Sequence, residues 1–301
     1  MISNLTPQRQ QFLDNLNQIS DTLNRAQLEV TSGLKVTQVS DAPDSISILL
    51  EAHAGLAATG QTLTNLGRFT TEVNAGEQAL QSAVTTFDQV QTLAATGATF
   101  TQTATGNAML AKQVDTLLQQ FVGLADSKNE GRYIFAGDQD QQIPYTYTAG
   151  QNPPVSAYGG STSTRVAQDV NGTAFPVALT AQQIFDSTDP TTNVFTTLQN
   201  LSTALSSNNQ PAIQAALNGL PAVSQYLNTQ LAFYGNVQKQ LSSATTYAQS
   251  VQLQQQTQVS GLQDADVSQA ILEMTQAQTQ QQAAVQSEAQ IPRQTLFNFL
   301  A

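Results

Sequence analysis

Side chains able to do chemistry are few in this chain and lie far apart in the sequence. There is no cysteine, which excludes disulfides, a thiol nucleophile and cysteine-ligated zinc. The single histidine, His53, falls on a polar stretch of a helical pattern. A histidine in that setting is far more often a surface or packing residue than a base or a ligand.

Two short segments could in principle form a small-ligand site. Asp138 and Asp140 stand two apart in a predicted turn, but no glutamate completes a calcium-binding loop. Gly159-Gly160-Ser161 lacks the lysine of a phosphate-binding loop and does not lead into a helix. The sequence therefore predicts no catalytic, cofactor-binding or metal-binding residue, no cofactor, and a protein that is not an enzyme.

The composition instead favours a protein that assembles with other protein. The 301 residues are only 10% charged, with a formal net charge of −11, and the polar remainder is largely Gln, Thr, Ser and Asn. Such amide and hydroxyl side chains are cheaper to desolvate than charged ones, so helices bearing them can be buried against neighbours. The acidic balance and the scarcity of basic residues argue against binding to nucleic acid or to an anionic membrane.

The sequence shows no recognisable membrane-spanning segment and no recognisable export signal. No apolar run approaches the length that spans a bilayer. The first residues show no basic region followed by an apolar region, so no cleaved Sec signal is predicted. Export, if it occurs, would use a route that does not cut such a leader.

Both ends of the chain carry the apolar spacing of coiled-coil helices. In the first helix the stripe alternates spacings of four and three: Phe12, Leu16, Ile19, Leu23, Ala26, Val30. Ser32-Gly33 interrupts it, and Pro43 is suited to start a second helix. At the other end, Asp264-Ala265-Asp266 predicts a cap, before a final helix that includes Ile271 and Met274.

Between the ends the pattern changes from helix to strand and back. Helical spacing continues to about Gly97–Gly106 and resumes until about Asn129–Gly131. The run Arg132–Asp138 is aromatic and β-branched, which predicts a strand. Asn171-Gly172 between apolar residues predicts a hairpin, and helix returns after Asp189-Pro190.

The predicted fold class is mainly α with a small β-rich insertion: an antiparallel bundle of long helices with paired terminal coiled-coil helices. Because the two helical halves flank the insertion, they must run antiparallel to pack, and the chain ends lie together. The predicted divisions are 1–42 (terminal), 43–137 (helical), 138–189 (β-rich), 190–256 (helical) and 257–301 (terminal).

The apolar stripes at the ends are the predicted subunit interface. The closing residues would be a liability on a monomer, so either they fold back on this chain or another subunit covers them; we favour the second. The predicted interface residues are Phe12, Leu16, Ile19, Leu23, Val30, Ile271, Met274, Leu296, Phe297, Phe299 and Leu300.

Several of these segments resemble a known family. The segments Thr31–Val36 and Ser40–Pro43, with Leu262–Asp266 and Gln276–Val285 and the closing Leu296–Leu300, resemble the terminal signatures of the flagellin superfamily. Within it, the run Gly131–Gly137, the β-rich segment and the closing Phe-Asn-Phe-Leu are most similar to the hook-associated proteins that join hook to filament. Ala42, where the family usually has an acidic residue, and the glutamine-rich final helix depart from the pattern.

The resemblance implies a structural subunit of the bacterial flagellum that joins hook to filament. It implies an inner coiled-coil layer, a helical middle layer and an outer β domain. It also implies type III export to the cell exterior, with terminal segments that are loose in the monomer and order on assembly. The implied partners are the hook-side junction protein, flagellin, copies of the chain in a ring and a cytoplasmic export chaperone.

The sequence is also compatible with other functions. The nearest alternative is flagellin itself, the filament subunit. A coiled-coil signalling or adhesin stalk would need a membrane anchor, and an enzyme acting on surface polymers is the most remote possibility.

Overall fold

Long helices dominate the computed structural model, which describes residues 7–99 and 101–290. The predicted mainly-α class is confirmed. The α-helices are α1 (Pro7–Ser32), α2 (Ile46–Gly97), α3 (Ala104–Ala125), α4 (Ala181–Phe185), α5 (Val194–Ser206), α6 (Gln210–Gln263) and α7 (Val267–Gln290). A short 3₁₀ turn, Val39–Asp41, lies between α1 and α2.

The strands form two small antiparallel hairpins within the described residues. β1 (Lys128–Asn129) pairs with β2 (Arg132–Tyr133), and β3 (Val166–Gln168) pairs with β4 (Ala174–Pro176). The predicted hairpin at Asn171-Gly172 is present. Gly172 has φ +83°, a conformation that glycine adopts freely. The carboxylate of Asp169 accepts the N–H groups of Asn171 at 2.9 Å and Thr173 at 2.8 Å, which fixes the turn.

The strand predicted over Arg132–Asp138 is mostly wrong. Only Arg132–Tyr133 is strand, and Ile134, Phe135 and Ala136 are buried core residues in irregular backbone. Their polar groups are satisfied locally; for example, the Phe135 carbonyl accepts the N–H of Ala181 at 2.8 Å. The aromatic and β-branched content therefore reflects burial rather than strand pairing.

One helix boundary and one additional helix also differ from the predictions. α3 ends at Ala125 rather than near Asn129–Gly131, because the β1–β2 hairpin begins immediately after it. The β-rich region contains the short helix α4, whose first turn is closed by a capping box. In it the Thr180 hydroxyl accepts the N–H of Gln183, and the Gln183 side chain accepts the N–H of Thr180.

The chain forms two compact units. The terminal unit consists of residues 1–58 and 252–301, and the central unit consists of residues 59–251. Edge-to-face aromatic rings run through the core of the central unit with centroids 6.2–6.3 Å apart, an arrangement that favours aromatic pairs. They are Phe87, Phe121, Phe135, Phe185 and Tyr234.

A second buried cluster ties the irregular segment of the central unit to its helices. The Tyr145 hydroxyl donates to Asp186 Oδ2 at 3.1 Å, and Asn193 Nδ2 donates to the other oxygen of Asp186 at 2.8 Å. The Tyr145 N–H donates to Asp126 Oδ1 at 3.0 Å, just beyond the end of α3. Burial raises the pKa of Asp126 to about 6, against the lowering effects of that N–H and of Lys128.

Candidate assembly surface

The first and last described helices pack against each other within the terminal unit, and they run antiparallel. Leu34, just after α1, bridges to Asp264, just before α7. Arg25, nine residues before Leu34, pairs with Glu273, nine residues after Asp264: Arg25 Nη2 lies 3.7 Å from Glu273 Oε2. The predicted pairing of the terminal helices is therefore present over the described residues.

The seam between α1 and α7 is narrow because small residues line it. Ala26, Ala270 and Ala277 are at most 2% exposed, whereas the larger apolar residues nearby are not fully covered. Small side chains let two helix backbones approach closely, but they bury little area. The pair alone therefore leaves much of its apolar surface in solvent.

The predicted interface residues fall into three groups. The α1 members are half-buried and share the face of Ala26: Phe12, Leu16, Ile19, Leu23 and Val30. On α7, Met274 is half-buried, whereas Ile271 is 46% exposed and so is not covered by α1. The remaining four, Leu296, Phe297, Phe299 and Leu300, lie outside the described residues.

Exposed apolar side chains are concentrated in the terminal unit. Of the fourteen large apolar side chains that are exposed in the described part of the chain, ten lie in this unit. They are Leu13, Leu28, Val39, Ile48, Leu50, Leu253, Val267, Ile271, Leu272 and Val285. A concentration of exposed apolar side chains makes this unit the candidate interaction surface.

Three of these residues form a stripe along α7. Val267, Ile271 and Val285 are spaced so that they project from one side of the helix, beside the seam that holds Ala270 and Ala277. We call these three residues the α7 stripe. The sequence pattern alone did not single out Val267, because it belongs to the stripe only once α7 is known to begin there.

Hydrogen bonds join the segment that follows α1 to the segment between α6 and α7. Gly33 ends α1 with φ +73°, and its carbonyl accepts the N–H of Ala265 at 2.9 Å. The Gln263 carbonyl accepts the N–H of Lys35 at 2.8 Å. The Lys35 Nζ donates to the Gly261 carbonyl at 3.1 Å, in the last turn of α6. A positive charge at the C-terminal end of a helix interacts favourably with the helix dipole. We call this set of bonds the connector clasp.

Two further polar groups of the terminal unit, His53 and Asp41, have structural partners. His53 Nε2 lies 3.1 Å from Gln263 Oε1 on the exposed surface. The Asp41 carboxylate accepts the N–H groups of Thr37 and Gln38, which lower its pKa and hold the turn before α2. Over residues 7–99 and 101–290, no group of three or more metal-ligating side chains comes together, and no helix is long and apolar enough to cross a membrane.

Comparison with known proteins supports the architecture. Residues 222–300 match the family model described as the bacterial flagellin C-terminal helical region. No curated protein matches the chain in sequence. A solved protein from Vibrio parahaemolyticus, described as a flagellar hook-associated protein, is 17% identical and superimposes with a TM-score of 0.66. The match covers 75% of this chain and all of that one. The fold is that of flagellar hook-associated proteins.

Two further structures agree. Hook-associated protein 3 from Legionella pneumophila is 12% identical, with a TM-score of 0.61 over 72% of this chain and 98% of that chain. FlgL from Bacillus cereus is 18% identical, with a TM-score of 0.55 over 71% of this chain and 100% of that chain. The predicted fold is thus confirmed by these structures, and the predicted likeness of the C-terminal region to flagellin is confirmed over residues 222–300 by the family model.

Proposed function

We propose that this chain is a structural subunit of the bacterial flagellum that joins hook to filament. The observation that carries the proposal is the terminal unit, a helix pair that is closed by small residues and leaves large apolar side chains in solvent. A similar structure from Legionella pneumophila is described as a flagellar junction protein, which supports the same role here. A non-enzymatic role accompanies this proposal.

The partners follow from the same surface. The α7 stripe, with Phe12, Leu16, Ile19, Leu23, Val30 and Met274, would contact copies of the chain in a ring and the neighbouring axial proteins. Those neighbours would be the hook-side junction protein on one side and flagellin on the other. The apolar residues Leu296, Phe297, Phe299 and Leu300, which lie outside the described residues, are proposed as further interface residues from the sequence alone. Residues 1–42 and 257–301 would form the inner layer, and 138–189 the outer domain.

Export belongs to the proposal as well. A subunit of the external flagellum must leave the cell, here by the flagellar type III route with a cytoplasmic chaperone. The apolar surface of the terminal unit gives a chaperone something to cover before assembly.

A second candidate is flagellin, the filament subunit. The match of residues 222–300 to the flagellin C-terminal helical region is compatible with this alternative and does not separate it from the junction subunit. The two differ in what the purified chain does. Flagellin polymerises into long filaments when seeded, whereas a junction subunit stops after a short assembly.

A deletion strain of the native host tests the proposal. Electron micrographs should show hooks without filaments, and filament subunits should appear in the medium. Normal filaments on the deletion strain would contradict the junction role. Loss of the filament subunit itself would favour flagellin.

The surface is tested by complementing that strain with variants of α7. Ile271→Ser with Val285→Ser removes apolar area from the α7 stripe, and Gln276→Ser, at an exposed position on the opposite face of the same helix, is the control. The stripe variant should be exported but fail to restore filaments, and the control should restore them. Full restoration by the stripe variant would remove these residues from the interface.

A further inference from the structure

The chain contains two Asn-Gly dipeptides in different backbone environments. Asn171-Gly172 lies in the β3–β4 turn, and Asn218-Gly219 lies inside the 54-residue helix α6. All four residues are exposed, so solvent access does not distinguish the two sites. Backbone conformation does.

We propose that Asn171 is a site of spontaneous deamidation, at which the Tyr247 hydroxyl promotes the reaction, and that Asn218 is protected by its helix. The backbone nitrogen of Gly172 gives its proton to solvent base and attacks Cγ of Asn171. The new N–Cγ bond closes a five-membered succinimide, the Cγ–Nδ2 bond breaks as Nδ2 takes a proton from solvent, and ammonia leaves. Water then opens the ring to aspartate or isoaspartate, with no change in oxidation state.

The turn leaves the attacking nitrogen easy to release. The Gly172 N–H donates to the Asp169 carbonyl at 3.1 Å, at the tip of a two-stranded hairpin. Freeing it requires one exposed hydrogen bond to open, which is among the least costly local motions in a fold. Glycine also has no side chain to shield its nitrogen.

A neighbouring side chain activates the carbon that is attacked. The Tyr247 hydroxyl, on α6, donates to Asn171 Oδ1 at 3.3 Å. This bond draws electron density from Cγ and stabilises the negative charge that collects on Oδ1 when the nitrogen adds. Tyr247 is 45% exposed, so it can follow the small movements of the turn.

The helical site lacks the exposed turn, and its Asn Oδ1 accepts from an amide rather than from a hydroxyl. The Gly219 N–H belongs to the helical hydrogen-bond ladder, in which the nitrogen is committed to the carbonyl four residues earlier. Around it, Ile213, Leu220 and Val223 are fully buried, so opening this turn would expose core side chains. Asn218 Oδ1 accepts a bond from Gln214 Nε2 at 3.4 Å, within the same exposed face.

The product would change the hairpin chemically. Either product places a carboxylate where Asn171 met Tyr247, close to the existing carboxylate of Asp169. Isoaspartate also inserts a methylene into the backbone at the turn, which displaces the β3–β4 pairing. In a long-lived extracellular assembly this change would accumulate with age.

Peptide mapping by mass spectrometry of the purified full-length chain, aged in mildly alkaline buffer, tests the proposal. In the folded protein Asn171 should deamidate at least about tenfold faster than Asn218, which corresponds to about 1.4 kcal/mol of extra opening free energy in the helix. In urea the two sites should react at similar rates, because each precedes a glycine. Equal rates in the folded protein, or faster reaction at Asn218, would overturn the proposal.

The role of Tyr247 has its own comparison. Tyr247→Phe should slow the reaction at Asn171 roughly threefold in the folded chain, as expected for the loss of one modest hydrogen bond, and should leave the rate in urea unchanged. Circular dichroism confirms that the variant is folded. An unchanged folded-state rate would remove Tyr247 from the mechanism.

Discussion

Arg165 donates a hydrogen bond to Glu72 and thereby joins the segment leading into β3 to helix α2. Both side chains are largely covered, at 18% and 17% exposure. Arg165 also lies 3.5 Å from Asp140, which pairs with Arg132 at the same distance. Burial raises the pKa of Glu72, and the positive charge of Arg165 opposes that shift.

Removing Arg165 should destabilise the central unit more than removing the whole pair. Arg165→Met leaves a covered carboxylate without its partner and should lower the free energy of unfolding by about 2 kcal/mol. The double variant with Glu72→Gln should recover most of the loss. Urea denaturation measures both, and equal losses in the single and double variants would show that the unpaired carboxylate of Glu72 carries no penalty.

Gly76 should not tolerate a methyl group. A Cβ at this position would lie 2.5 Å from Cε1 of Tyr234, whose ring is 2% exposed and held by the aromatic core. Gly76→Ala should lower the free energy of unfolding by about 2 kcal/mol through overpacking.

Gly67, on the same helix, provides the control. A Cβ there meets nothing within 4 Å, and the position is exposed. Gly67→Ala should stabilise the protein by about 0.5 kcal/mol because alanine favours helix. Similar effects of the two substitutions would contradict the packing around Tyr234.

Asp126 should make stability depend on pH. Its folded-state pKa of about 6 lies above its ordinary value of 3.8, so the native state holds the proton more tightly than the unfolded state does. The resulting contribution to the free energy of unfolding is complete below about pH 4 and disappears as the pH rises through about 6.

Asp126→Asn should remove this dependence. The asparagine oxygen can still accept the N–H of Tyr145, so the variant should be more stable near neutral pH by about 1 kcal/mol, allowing for solvent screening. Denaturation midpoints measured from pH 4 to pH 7 compare the two proteins. A wild-type pH profile that the substitution does not flatten in this window would refute the assignment.

The connector clasp should depend on the left-handed backbone of Gly33. A Cβ there meets nothing within 4 Å, so Gly33→Ala adds only backbone strain, at φ +73°. This strain costs about 1 kcal/mol. Hydrogen exchange should quicken at Lys35 and Ala265 while the core of α3 is unchanged. Uniformly faster hydrogen exchange through both α1 and α7 would indicate a global effect instead.

Helical spacing and turn chemistry predicted much of this structure. The breaks at Ser32-Gly33 and Asp264–Asp266 and the hairpin at Asn171-Gly172 were confirmed, because each depends on local backbone preferences. The burial of Ile134–Ala136 was not predicted, since aromatic and β-branched residues suit a strand and an irregular core segment equally well.

The candidate surface was predicted only in part. Apolar spacing identified the terminal helices, but it could not show that Ala26, Ala270 and Ala277 would line their seam. The exposure of Ile271 follows from that seam: a narrow contact between helices covers the alanines and stops short of the larger side chain. Which apolar residues remain uncovered is thus a property of the packed pair, not of either helix alone.

The pairing of α1 with α7 also has a consequence for the order of folding. Most of the chain lies between Arg25 and Glu273, so closing that contact carries a large loop entropy. The contacts of α3 with α5 close a much shorter loop and can form earlier. We therefore expect the terminal pair to close after the central core, and expect its two helices to be able to separate while that core persists.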